Sequence, residues 1–162
     1  MIESPMHRIF LRTCLLALAI TGSSWTLKAT AQSSGEPQRL PTVSLRAGMH
    51  LIKAEVALTP EQHQTGLMHR TSMGSNEGML FVFDRPGTQC FWMKNTLIPL
   101  QVAFIEDDGT IVNLAEMKPK SLDSHCSAKP VRFVLEMNKG WFTKRGAHPG
   151  SKLKGDPFTK AQ

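Results

Sequence analysis

Positions 90–95 read CFWMKN, which puts a thiol, two aromatic rings, a thioether, an ammonium and an amide in six consecutive residues. Side chains alternate faces along an extended strand, so Phe91 and Met93 point one way and Cys90, Trp92 and Lys94 the other. The first pair suits a core. The second set, continued by Asn95, suits the wall of a recess for an anionic or amide-bearing ligand, and Trp92, Lys94 and Asn95 are the expected ligand-binding residues. A purely structural arrangement competes with it: Trp92 packs over a disulfide while Lys94 lies along its ring with the amine in water. Arg70, at the end of GLMHR, is the fourth candidate. Its guanidinium fork suits a ligand carboxylate, or else Glu77 and the backbone of 71–78.

Other chemistries have less to build on. The chain carries no GxSxG elbow, no HExxH pair and no phosphate-binding loop, so no catalytic residue is assigned and a non-enzymatic role is expected. The alternative is an envelope enzyme acting on glycans or peptides through a site of unfamiliar pattern. His125 beside Cys126 activates a thiolate only where that cysteine is free. Met68, Met73, Met79 and Met93, with His63 and His69, offer soft donors for a copper ion. The two histidines, however, stand about 240° apart around a helix, and methionine more often fills irregular cores. No metal or other cofactor is therefore expected.

The compartment decides how the cysteines behave. Arg8 and Arg12 precede a short apolar run, Cys14 to Ile20, and Ala29-Thr30-Ala31 supplies a small-x-small site. This is the pattern of a signal peptide over residues 1–31, cleaved after Ala31, and the run is far below the ~20 residues that span a bilayer. A periplasmic or secreted protein without a stable membrane anchor is expected. The chain has 19 basic and 13 acidic residues; without Arg8, Arg12, Lys28 and Glu3, 16 and 12 remain, a net charge of +4. So mild a charge argues against nucleic acid and leaves a small molecule or an envelope component as the expected partner. Cleavage also leaves two cysteines, Cys90 and Cys126, which in an oxidising compartment read first as a disulfide closing a loop of 37 residues, both ends counted, with a redox or metal pair as the lesser alternative because the spacing is not CxxC.

These residues need elements to hold them. Residues 32–42, with Ser33, Ser34, Gly35, Pro37 and Pro41, read as a flexible lead-in. Period-two alternation predicts strands over 43–47 and 50–58. Thr59-Pro60 with Gln62 forms a capping-box signature for a short helix from Pro60 to about Met68. The apolar run at 79–83 is a buried strand, Arg85-Pro86-Gly87 a turn, and 90–94 another strand. Asp107-Asp108-Gly109 joins strands at 100–105 and 110–114 as a hairpin. A long loop at 118–130, a strand at 131–137 and a helical turn at 141–145 complete the chain, with a frayed tail at 156–162. Strands joined by short turns, with one or two short helices, predict a mainly β domain: a single compact antiparallel barrel or sandwich.

Four segments, EQHQTGLMHR, EGMLFVF, FWMKNTLIPLQVAFIEDDGTI and VLEMNKG, stand in an order that resembles the domain of unknown function 192 family over residues 43–155. The resemblance implies a compact, mainly β domain and no established reaction. Gln101 stands where an acid is common in that family.

Overall fold

In the computed structural model, residues 35–158 are described. The signal segment expected at 1–31 lies outside the described residues. Among the described residues no helix is long and apolar enough to cross a membrane.

Among the described residues, nine strands and two short helices follow one another as β1 (Thr42–Ala47), β2 (His50–Ala57), α1 (Pro60–Thr65), β3 (Glu77–Gly87), β4 (Cys90–Phe91), β5 (Leu100–Ile105), β6 (Ile111–Met117), β7 (His125–Cys126), β8 (Val131–Asn138), α2 (Trp141–Lys144) and β9 (Leu153–Lys154). Seven strands form one curled sheet in the order β6-β5-β8-β3-β2-β1-β9, and β4 pairs with β7 apart from it. The two edges of the large sheet meet at one end. Thr110 bridges to Lys152, the Ile111 amide donates to the Ser151 carbonyl (2.9 Å), and the Gly150 amide donates to that of Ile111 (2.8 Å). This closes the curl around Thr110 and Ile111, while β6 beyond Ile111 remains an edge strand. The mainly β architecture with two short helices is the expected one.

The central strands β3, β5 and β8 divide their side chains between two cores, which explains why β5 is buried along its whole length. Ala103 and Ile105 point into the curl of the sheet, with Leu45, Ile52, Leu80, Phe133, Leu135 and Phe142. Leu100, Val102 and Phe104 point outward, with Met79, Phe81 and Val134, beneath Leu67, Met93 and Ile98. The chain thus lays a second layer, built from α1 and the segments around 67 and 91–98, over the outer face of the sheet.

Several expectations are corrected. β2 and β3 run parallel, not antiparallel, because α1 and the residues after it carry the chain back across the sheet. β3 continues through Arg85-Pro86-Gly87, where a turn was expected. A register shift between Val82 and Gly87 accommodates the proline. α1 ends at Thr65, since Gly66 has φ +46°, although the capping box at its start is formed as expected. The strand expected at 90–94 is extended only over Cys90–Phe91. The lead-in is pinned from Gln38, whose side chain donates to the carbonyls of Gln62 and Gly66 (both 2.9 Å). The tail does not fray from 156: Phe158 is buried and packs edge-on against Phe133.

Candidate functional site

The outer layer leaves a recess of about 260 Å³ over the sheet. Its floor is sheet: Phe81 and Phe83 of β3 and Glu136 of β8. One wall is the face of α1 with His63, followed by Gly66 and Met68. The other wall is the 89–96 segment, with Phe91, Trp92 and Thr96.

Sequence explains both walls. Gly66 ends the helix at a positive φ that a β-carbon would strain, and a β-carbon there would also sit 3.4 Å from the Phe81 ring. The chain then turns down so that Leu67 is buried. In the opposite wall, Cys90 lies directly across from Cys126 in the β4–β7 ladder and is bonded to it, as expected. Asn113 of β6 holds the partner strand by donating to the Cys126 carbonyl (3.1 Å) and accepting from the Ala128 amide (2.9 Å). The Thr96 amide donates to the Met93 carbonyl (3.0 Å) across a turn in which Asn95 has φ +56°. At one end the walls are tied together, the His69 amide donating to the Asn95 carbonyl (2.9 Å).

Glu136 is the unusual member. It pairs with Val102 on one side and Met79 on the other, on the apolar outer face of the sheet. Only 4% of it is exposed. Among the described residues no hydrogen bond or ion pair reaches its carboxyl. Burial pushes its pKa up to about 8, so the group carries its proton at neutral pH. Gly78 on the adjacent strand permits the close approach, since a β-carbon there would collide with the Glu136 carbonyl and the Met137 sulfur.

Rings surround this acid. Phe81 and Phe91 meet edge-to-face at 4.8 Å between centroids, and His63 lies 4.5 Å from Phe83. His63 Nε2 is 3.0 Å from the Ala57 carbonyl. A carbonyl only accepts, so Nε2 carries the hydrogen and Nδ1 is the nitrogen left over.

The four expected ligand residues are placed in three different settings. Trp92, half exposed, rims the recess. Lys94 sits with its amine 5.4 Å from the Trp92 ring centroid, as in the structural alternative, yet it lines a separate depression together with Asn95, His69 and Lys120. Arg70 is 2% exposed and lies in a clamp: it donates to Glu55 Oε1 (2.8 Å), Glu55 Oε2 (2.7 Å) and the Gln38 carbonyl (2.7 Å). Its partner is Glu55 rather than Glu77, which instead accepts from the Gly74 amide (3.1 Å). Burial alone would raise the Glu55 pKa, but the hydrogen bonds from Arg70 and the Leu40 amide, with the charges of Arg70 and Arg39, lower it overall. The copper donors fall into three settings. Met79 and Met93 are buried in the outer core with Met73 packed on it, Met68 lines the recess with His63, and His69 lines another depression. Among the described residues no three His, Cys, Asp or Glu side chains converge.

Gln101, in the place of the acid common in the resembling family, faces the inner core. It accepts from the Phe142 amide (3.0 Å) and donates to the Thr143 hydroxyl (2.9 Å). It therefore caps α2 and takes no part in the recess.

Residues 43–155 match the DUF192 family, described as an uncharacterized ACR. No curated protein matches the chain. Among solved structures, a proposed transcription regulator from Sinorhizobium meliloti is 38% identical, with TM-score 0.66; the match covers 70% of this chain and 92% of that one. A protein of unknown function from Novosphingobium aromaticivorans is 32% identical, also with TM-score 0.66, over 75% and 94% of the two chains.

Proposed function

The chain belongs to the DUF192 family, and from that premise we propose that it is a non-enzymatic binding module of the cell envelope that holds a small molecule in the recess floored by Glu136. The observation that carries this reading is the acid itself. A carboxyl shielded on an apolar face, with its oxygens reaching only the recess and no protein partner among the described residues, costs folding free energy, and such costs are retained where a ligand supplies the missing partner. The aromatic lining and the few convergent polar groups, Glu136, His63 and Thr96, have the composition of a small-molecule site.

An envelope location rests on the signal pattern at residues 1–31 and fits a Cys90–Cys126 bond, which persists in an oxidising compartment. The description of the Sinorhizobium protein as a proposed transcription regulator suggests DNA instead. The processed chain's charge of +4 gives that less support. An enzymatic reading draws on the same Glu136, whose raised pKa suits a general acid near neutral pH; it requires the ligand to leave chemically changed.

The test is a screen of cationic, anionic and neutral fragments, read from backbone amide shifts. Binding in the recess moves the amides of His63, Phe91, Trp92, Thr96 and Glu136 together. If no fragment of any class moves them, the binding reading falls. If a bound fragment is recovered altered, the enzymatic one replaces it.

A further inference from the structure

We propose that the recess binds a primary ammonium group, seated against the Glu136 carboxylate and enclosed by the rings of Phe81, Phe83, Phe91 and Trp92. This rests on the recess being the binding site and adds the class of its ligand.

The charges around the recess favour a cation. Among the described residues that line it, none is a lysine or arginine, and Glu136 is the only carboxylic acid. An anionic ligand would meet an acid in the lining; the Lys94 amine, 5.4 Å from the Trp92 ring centroid, lines the neighbouring depression instead. A cation supplies the counter-charge Glu136 lacks, in a site where water screens little. The Arg70–Glu55 pair shows the contrast: there the chain provides its own cation for a shielded carboxylate, and at Glu136 it provides none.

The walls point the same way. Aromatic faces carry negative potential and attract cations, most strongly when both are withdrawn from water. Four such rings line this small volume, and the Met68 sulfur adds a polarizable surface. The chain already uses one ring this way, since the Lys94 amine lies over Trp92. A neutral ligand could accept one hydrogen bond from protonated Glu136 but would gain nothing from the ring potential.

Size and hydrogen bonding narrow the class. A volume of about 260 Å³ takes a head group and a few carbons. An N–H donor is needed to reach the carboxyl, which a primary ammonium has and a quaternary ammonium lacks. The same group occurs on a free amine and on a lysine side chain, and the recess chemistry is common to both.

Binding is linked to protons. The ammonium pairs with the carboxylate form, so the proton held on Glu136 leaves as the ligand enters. His63 on α1 is the other titratable group lining the recess. Cys90 is in a disulfide, and the strand neighbours Met79 and Val102 are uncharged. Affinity therefore rises with pH by about tenfold per unit while Glu136 remains mostly protonated.

Calorimetry of the processed protein tests this with n-butylammonium, 1-butanol, butyrate and tetramethylammonium. The expected result is binding of n-butylammonium at least about tenfold tighter than the other three. It should strengthen from pH 6 to 8 and be lost in Glu136→Gln and weakened in Trp92→Ala. Should Glu136→Gln fail to fold, the probe series, the pH series and Trp92→Ala still decide. An N-acetylated Gly-Lys-Gly amide, whose sole ammonium is on the lysine side chain, bound more tightly than n-butylammonium identifies a protein lysine as the source, and the reverse order a free amine. If butanol or butyrate binds as well as n-butylammonium, or folded Glu136→Gln binds it unchanged, the cation is overturned while the recess stands. If n-butylammonium does not bind, the cation is overturned, and an empty fragment screen then removes the recess as well.

Discussion

Arg70 grips Glu55 through two parallel hydrogen bonds, 2.8 Å to Oε1 and 2.7 Å to Oε2. Arg70 also accounts for the Gln38 carbonyl, and the Leu40 amide donates to Glu55 Oε2 (2.9 Å), so one pair fastens the start of the domain to β2. Removing the guanidinium leaves a shielded carboxylate without its cation. Arg70→Ala is expected to cost about 3–5 kcal/mol in urea unfolding. Since the Glu55 pKa is lowered in the folded chain, its contribution is present above the ordinary value of 4.5 and is lost as pH falls through the folded pKa. The wild type should lose stability in acid below that value, and Arg70→Ala should lose less there because the pair is already gone.

Glu136 has the opposite sign. Its folded pKa of about 8 lies above the ordinary 4.5, so between those values the folded chain holds a proton that the unfolded chain has released. Its contribution is full below the lower value and is lost as pH rises through the upper one. Urea midpoints should fall from pH 5 to pH 9 in the wild type. Glu136→Gln, which has no proton to lose, should flatten that decline and be the more stable of the two at pH 9. Equal slopes for the two proteins would show that Glu136 is not a buried, protonated acid.

The Cys90–Cys126 bond holds one wall of the recess to β7. The double variant Cys90→Ser, Cys126→Ser should lose about 3–4 kcal/mol in denaturant unfolding, as expected for a loop of this length. Amide exchange should quicken at 90–96 more than at β5 or β8, because those strands are held by the large sheet.

Gln101 satisfies a buried backbone donor. Gln101→Leu keeps the volume but leaves the Phe142 amide without an acceptor, at a cost of about 1–3 kcal/mol. Gln101→Glu retains the acceptor and should cost less. Neither change should move the amides of the recess, which lies on the other face of the sheet; thermal melts and amide shifts check both statements.

Local rules were readable without coordinates. Thr59-Pro60 with Gln62 announced the start of α1, and Asp108-Gly109 announced the β5–β6 hairpin. Two cysteines were enough for their pairing. Non-local relationships were not readable. The parallel pairing of β2 with β3, and the meeting of Thr110 with Lys152, depend on how the whole sheet curls. Lys94 was expected on the Trp92 side of one strand, with Asn95 continuing the same recess. Alternation fails there because the extended pairing ends at Phe91 and a turn at Asn95, three residues after Trp92, redirects the chain. Glu136 was missed although its signal is local: one acid inside the apolar run VRFVLEM, on the face of Val134. An acid on a strand ordinarily marks a solvent-facing side. Only the layer formed by α1 and the 91–98 segment reveals that this side is covered.

The most direct measurement is the pH titration of the Glu136 side-chain carboxyl by 13C resonance, alone and with saturating n-butylammonium. The expected result is a free-protein pKa near 8 that falls by about one unit or more when the amine binds. A carboxyl that titrates in the ordinary range near 4.5, or one that the amine leaves unmoved, would contradict a buried acid waiting for a cationic ligand.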